Sequence, residues 1–160
     1  MELFDILVTF VAAMTPIGEL RLAIPLAISR YDMVWYSALP IAVVGNIVPV
    51  LILVPGMARL SKMLSNFSNP AGRMLRWQEN RLRRAQSARF DRYGALALVI
   101  LVAVPLPMTG AWTGSLAAWI FRIPPSRAIP LIAVGVLIAG LIVTIVTLSG
   151  IELGKVVLSD

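Results

Sequence analysis

The sequence has no cysteine and no histidine among its 160 residues, and it has few charged residues. The absence of cysteine excludes a disulfide framework and thiol chemistry. The absence of histidine removes the commonest zinc ligand and the usual proton shuttle near neutral pH. The sequence also contains no Walker-type loop, no spaced set of metal ligands and no nucleophile–base pairing. We therefore expect no cofactor, no metal site and no enzymatic activity.

Most of the chain is hydrophobic. Hydrophobic residues make up 59% of it, charged residues 14%, and the mean hydropathy is +0.87. This composition predicts an all-α integral membrane protein. Glu2 and Asp5 stand where a cleavable signal peptide would have basic residues, so we expect the N-terminal segment to be kept. We predict one membrane domain, 1–160, made of repeat one (1–58), a basic linker (59–93) and repeat two (94–160).

Two units of the chain share one order: a short apolar run, a tip rich in proline and glycine, a second short run and a long apolar span. The first consists of Leu3–Met14, the tip Thr15–Arg21, Leu22–Ile28 and the span Val34–Met57; the second consists of Ala95–Val104, the tip Pro105–Gly114, Ser115–Phe121 and the span Ile129–Ser149. The short runs fall below the roughly 20 apolar residues that a membrane crossing needs. Broken helices at membrane depth persist only where protein or a polar cavity satisfies the backbone. This order is typical of transporters.

The two units also align as an internal repeat. Ala38–Gly45 matches Ala128–Gly135 at four positions, with an offset of 90 residues. If each broken unit is a re-entrant helical hairpin followed by one crossing, the repeats are inverted and both tips lie near the midplane. The alternative is that Leu3–Ile28 and Ala95–Phe121 are single kinked spans, which makes the repeats parallel.

The linker from Arg59 to Tyr93 carries nine lysine and arginine residues. Basic loops stay in the cytoplasm, so the hairpin topology places the linker inside and both termini outside. Residues 73–93 are predicted to form a helix that either lies on anionic lipid headgroups or only fixes the topology. The linker has no aromatic platform or binding motif, so we expect no nucleic-acid partner.

Polar residues in the first unit are candidates for a binding site. Glu19 and Arg21 are its only charges after the opening residues, and burial of either near mid-membrane costs at least about 2.5–3.5 kcal/mol. Glu19 can bind a proton or cation and Arg21 a phosphate or carboxylate, or the two pair structurally. Thr15 and Gly18 flank them. Asn46 in the first span makes an interhelical hydrogen bond or, less often, a substrate contact.

The second tip has no charge, but it has hydrogen-bonding groups. Thr109 and Thr113 offer hydroxyls, and Trp112 offers an indole N–H or simple packing. Gly110 permits close backbone approach. The returning helices are predicted to begin at about Gly18 and Gly110 and to direct their N-termini, which favour anions, at the centre.

At Thr15–Pro25 and Pro105–Gly114 the sequence resembles the small multi-drug export protein family, over essentially the whole chain. That family is distantly similar to the DedA/VTT membrane proteins, which have paired re-entrant hairpins. The resemblance implies a prokaryotic inner-membrane protein with an export or lipid-handling role, since some DedA-type proteins flip a lipid-phosphate carrier with the proton gradient. By position, only Glu19 and Arg21 match the charged tip residues of the wider group. The second tip departs from it, with Trp112 and no arginine.

We therefore expect a secondary transporter, ion- or proton-coupled, that moves an anionic amphiphile such as a lipid-phosphate carrier. One alternative is a proton-coupled exporter of small drugs or cationic amphiphiles, and another is a structural membrane protein without transport activity. Four deep segments are few for a sealed pathway, so we expect a homodimer. The expected partners are membrane lipids and a small-molecule or lipid substrate.

The absence of native cysteine makes the topology directly testable. A single cysteine at position 2 and another in the linker should react with membrane-impermeant reagents from opposite sides of the membrane, because the hairpin topology crosses the bilayer once between them. Labelling of both positions from the same side would instead establish the kinked-span alternative.

Overall fold

The computed structural model describes residues 2–65, 88–105 and 109–157, and within these ranges it contains six helices and no strand. The helices are α1 (Leu3–Met14), α2 (Glu19–Arg30), α3 (Trp35–Ser65), α4 (Ala88–Ala103), α5 (Ala111–Ile120) and α6 (Pro125–Val157). The predicted all-α class is therefore confirmed for the described part of the chain. Most of the predicted linker helix, residues 73–87, lies outside it.

Both predicted helix breaks are present. α1 ends at Met14, and α2 begins only after residues 15–18. The Thr15 hydroxyl donates to the carbonyl of Ala12 at 2.8 Å, while Pro16 has no N–H to continue the ladder. The residues before α2 and α5 are Gly18 and Gly110, as predicted.

The tips are shorter than the sequence predicts. The segment from Glu19 to Arg21 belongs to the first turn of α2, and the segment from Trp112 to Gly114 belongs to α5. In each helix a backbone hydrogen bond closes the first turn directly on the glycine. Leu22 N donates to Gly18 O at 3.1 Å, and Gly114 N donates to Gly110 O at 2.8 Å.

α3 and α6 are the two long helices, with 31 and 33 residues. At 1.5 Å per residue each is about 45–50 Å long, more than a bilayer core of roughly 30 Å. Their most apolar parts, Trp35–Ser61 and Pro125–Leu153, are long enough to cross a membrane. Both helices extend beyond the predicted spans, because the apolar pattern marks only the part that can cross a membrane, whereas the helical backbone continues through the residues that follow, Gly150 and Gly154 included.

The chain turns back on itself between α1 and α2. Ile6, near the start of α1, packs against a buried cluster of Ala27, Met33 and Ala38. Ala27 lies near the end of α2, so the start of one helix is beside the end of the other. Whether this fold-back is a re-entrant hairpin in a membrane stays a prediction.

Helix contacts in the first half have counterparts in the second half. α1 contacts α2 and α3, and α4 contacts α5 and α6. α2 and α3 contact each other, as α5 and α6 do. Between the halves, α2 packs on α6, α5 packs on α3, and the two long helices pack together. Whether the halves are inverted across a membrane stays a prediction.

Large apolar side chains remain exposed along the long helices, whereas many of the buried side chains are small. Ile52 is 67% exposed and Ile145 is 63% exposed, while Ala42 and Ala128 are fully buried. A soluble monomer rarely exposes a continuous apolar surface of this kind. Contact with lipid accounts for it.

Two glycines set the distance between neighbouring helices. A Cβ at Gly45 would lie 2.6 Å from Phe10 O on α1, and one at Gly135 would lie 3.0 Å from Val99 O on α4. The two glycines are 90 residues apart, the offset of the repeat. In each half, the long helix therefore approaches the backbone of the first short helix at the same repeat position.

Gly45→Ala and Gly135→Ala should each lower stability by about 1–3 kcal/mol, because the added methyl group overpacks a helix contact. Gly150→Ala is the matched control, since a Cβ there has no atom of another described element within 4 Å. Alanine favours a helix over glycine by up to about 1 kcal/mol, so the control should be neutral or stabilised. Thermal unfolding midpoints in detergent measure the difference, and equal behaviour of all three variants would contradict the close approach.

Candidate functional site

The carboxylate of Glu19 lies at the N-terminus of α5. Glu19 is 6% exposed, and the backbone N–H of Trp112 donates to its Oε1 at 3.3 Å. The backbone N–H of Ala111 and the side-chain amide of Asn46 also interact with this carboxylate. A negative group is favourable here because the first N–H groups of a helix lack intrahelical partners. A charge from the first half of the chain thus caps a helix of the second half.

Gly110, which precedes α5, makes room for this carboxylate. A Cβ on Gly110 would overlap Oε2 of Glu19 and would lie 2.6 Å from its Cδ. The backbone of Gly110 has φ 132°, a conformation that side-chain-bearing residues rarely adopt. Glycine is therefore required here for two separate reasons.

Glu19 itself has a left-handed backbone, with φ 48°. For a residue that is not glycine, such a conformation costs on the order of 1–3 kcal/mol and is held by its surroundings. Here the Glu19 N–H donates to Thr15 O at 3.2 Å across the helix break. Backbone strain at a buried charge is typical of a functional site.

Arg21 also contacts the second tip. Its Nη2 donates to the hydroxyl of Thr109 at 2.8 Å and to the Thr109 carbonyl. The same hydroxyl donates to Val104 O at 2.8 Å, and Trp112 Nε1 donates to Met14 O at 3.2 Å. Both charged side chains of the first tip and the indole of the second therefore join the two halves.

Asn46 brings α3 to the same place. It is 1% exposed, and among the described residues its Oδ1 has no hydrogen-bond partner. It borders a small cavity, about the size of one water molecule, that Glu19, Arg21 and Gly110 also line. The rest of the lining consists of Leu20, Val102, Ala111, Val136 and Ala139.

The structure brings most of the sequence-predicted residues together. Glu19, Arg21, Asn46 and Gly110 line the cavity, and Thr109 and Trp112 join them by hydrogen bonds.

The other three predicted residues are not part of the cavity lining. Thr15 and Gly18 contact each other at the first helix break, where Gly18 N donates to Thr15 Oγ1 at 3.4 Å. Thr113 lies half-buried on α5.

Sequence reasoning missed the apolar lining, and although it placed the N-terminus of the second returning helix at the centre, it did not pair Glu19 with a particular N–H group. Val136 lies 90 residues after Asn46, so the offset of the repeat would have found it. The N–H of Ala111 has no sequence signature, because every residue except proline carries the same group. Nothing in the sequence marks Ala139 as part of the cavity lining either, since the chain has many other buried alanines.

The chemistry of the site suits an anion rather than a metal ion. The groups directed at the carboxylate are N–H donors, with the guanidinium of Arg21 nearby. Metal ions instead need converging oxygen, nitrogen or sulfur acceptors. Within residues 2–65, 88–105 and 109–157, no three or more His, Cys, Asp or Glu residues come together as a metal site.

Two helices that are long and apolar enough to cross a membrane, exposed apolar side chains and a charged site buried among short helices are together typical of a helical membrane protein. A family model described as "putative small multi-drug export protein" matches residues 19–142. The chain therefore belongs to the small multi-drug export protein family, which is named for export and not for an enzymatic reaction. Neither the curated proteins nor the solved structures contain a match to the chain. The similarity to DedA-type proteins stays a prediction.

Gly110→Ala should destabilise the protein by about 2–4 kcal/mol, because the methyl group overlaps the Glu19 carboxylate and the backbone conformation disfavours alanine. Gly94→Ala is the control, since within the described part of the chain no atom outside its own helix lies within 4 Å of a Cβ at that position. Unfolding midpoints of the two variants in one detergent give the comparison. A Gly110→Ala protein as stable as Gly94→Ala would show that the carboxylate does not occupy this place.

Proposed function

We propose that the protein is a secondary transporter of the prokaryotic inner membrane, whose binding site is the cavity between Glu19, Arg21, Asn46 and Gly110. Glu19 carries the coupling proton. Arg21 and the N-terminus of α5 hold the anionic headgroup of an amphiphile such as a lipid-phosphate carrier. Membership of an export family supports transport, and the chemistry of the site supports the coupling proton and the anionic headgroup.

The observation that carries this proposal is the contact between the Glu19 carboxylate and the Trp112 N–H. The contact depends on negative charge, because a neutral carboxyl group is attracted less strongly to a helix N-terminus and to Arg21. Binding of a proton therefore weakens a bond between the two halves of the protein. Coupled transport requires that a ligand, here the proton, favours one of two arrangements of the protein over the other.

The short helices support a re-entrant topology. α1 and α2 each have 12 residues, or about 18 Å, and they lie side by side in opposite directions. The paired helix contacts fit two repeats, which we propose are inverted, with the linker in the cytoplasm against anionic headgroups and both termini outside. We also propose a homodimer, since two spans and four short helices enclose little volume.

A proton-coupled exporter of small drugs or cationic amphiphiles is the second candidate, and the description of the family favours it. It needs a carboxylate that is open to a cation. In this structure, two backbone N–H groups, Asn46 and Arg21 already act on Glu19. The surroundings of the carboxylate therefore favour the anionic substrate.

A purely structural role is the third candidate. The bonds from Glu19 and Arg21 to the second tip would hold the fold together even without a substrate. Only a transport measurement separates this role from the other two.

Purified protein in liposomes, with an imposed pH gradient, should move a lipid phosphate across the bilayer and move protons with it. Glu19→Gln should abolish proton-coupled movement, because the amide cannot carry the proton. Arg21→Ala should abolish movement of the anion, because the guanidinium no longer holds it. The matched control is Glu152→Gln, the same change at an exposed position near the end of α6, which should transport like the wild type.

The same liposomes loaded with a cationic dye test the second candidate. Export of the dye that depends on Glu19 would support a cationic substrate and contradict the proposed anionic one. Undiminished lipid-phosphate transport in both Glu19→Gln and Arg21→Ala would remove the proposed site. Movement of neither substrate by the wild type would favour the structural role.

A further inference from the structure

We infer that the N-terminus of α5 is a binding site for an external oxyanion that carries an O–H group, and that Glu19 is the internal ligand occupying this site in the absence of substrate. The inference rests on the proposed function and specifies its substrate chemistry. Hydrogen phosphate monoesters and hydroxycarboxylates belong to the class.

The first step is the place that the carboxylate occupies. Two backbone N–H groups, from Ala111 and Trp112, act on it together with the positive charge of Arg21. A helix N-terminus with a nearby arginine is an established arrangement for binding carboxylate and phosphate oxygens. Gly110 provides the space, since even one methyl group at that position would overlap the carboxylate. The chain has built an anion site and filled it with its own side chain.

The second step is an independent observation on α3. Asn46 borders the same cavity with 1% of its surface exposed, and its Oδ1 has no hydrogen-bond partner among the described residues. A buried carbonyl oxygen without a donor is unfavourable by about 1–3 kcal/mol. While Glu19 is ionised it cannot relieve this, because the carboxylate has only acceptors; the protonated carboxyl group has an O–H and can donate. A ligand with an O–H beside its anionic oxygens supplies what both Asn46 and α5 need.

The third step concerns space. The cavity beside the carboxylate is about the size of one water molecule, so an oxyanion group does not fit while Glu19 remains in place. Substrate and ionised Glu19 therefore exclude each other. Glu19 leaves most readily when it is neutral, so the proton and the oxyanion occupy the protein at the same time.

Removal of the internal ligand should make the site available to soluble anions. Glu19→Gly suits the left-handed backbone of this position, and Glu19→Ser is the second variant in case the first does not fold. Thermal unfolding of each purified variant is followed in sodium chloride, acetate, glycolate and phosphate at equal ionic strength. Glycolate and phosphate should raise the midpoint by about 3 °C or more, acetate should raise it less, and chloride should not raise it. The wild-type midpoint should rise only by the general salt effect that phosphate has on any folded protein, because Glu19 fills the site, and the rise in the variants is counted beyond that of the wild type.

Two further changes test which atoms bind the anion. Asn46→Leu, combined with Glu19→Gly, should remove the preference for glycolate over acetate, since the acceptor for the hydroxyl is lost. Gly110→Ala, combined with Glu19→Gly, should abolish the anion response, since the methyl group fills the site. Micelles doped with phosphatidic acid, compared with inorganic phosphate, distinguish a lipid headgroup from a soluble anion.

The outcomes separate this inference from the proposed function. If anions stabilise the variants but the wild type transports nothing, the inferred anion site is supported and the proposed transport function is contradicted. Transport without anion stabilisation of either variant removes the site. A variant that purifies as a folded protein only in glycolate or phosphate supports the inference. Equal stabilisation of wild type and variants overturns it, and so does failure of both variants to fold with or without these anions.

Discussion

The contact between the carboxylate of Glu19 and the first N–H groups of α5 is the interaction on which the centre of this protein depends. A helix that begins inside an apolar environment leaves N–H groups without partners, and hydrocarbon cannot supply them. Glu19 supplies a negative partner from the other half of the chain. Arg21 does the converse, because it donates to the Thr109 backbone and hydroxyl before α5 begins. Each broken unit thus supplies hydrogen-bond partners to polar groups of the other.

These hydrogen bonds between the two units are possible only because the helices approach closely. Gly45 and Gly135 let the long helices approach the backbones of α1 and α4, and Gly110 lets the carboxylate reach α5. Small residues have the same role in membrane helices generally, since apolar burial gives little driving force between helices in lipid. Close packing and backbone satisfaction, more than hydrophobic burial, hold the described helices in this arrangement.

Much of this arrangement could be predicted from the sequence, and the rest could not for identifiable reasons. Proline and glycine at the tips marked the breaks, and Gly18 and Gly110 marked the helix starts, because their backbone chemistry is local. The predicted spans end before α3 and α6 do. Residues such as Leu60 and Met63 are compatible with a helix whether or not they lie in the membrane, so the sequence does not mark where the helix ends. Glu19 and Arg21 stood out as isolated charges in an apolar chain. The N-terminus of the second returning helix was predicted to face the centre, but its contact with Glu19 was not, because every residue except proline has the same backbone N–H group.

For the transporter that we propose, the Glu19 carboxylate also affects the protein without substrate. An arginine left without a counter-ion in a low-dielectric interior is strongly unfavourable, so a carrier that releases an anionic cargo would be trapped by its own exposed positive charge. Glu19 lies close enough to Arg21 to neutralise it when the cargo has gone. In the proposed transporter, the site without substrate then has no net charge. It can return to its starting arrangement without binding an anion from solution, so transport of salt ions in place of the substrate is suppressed.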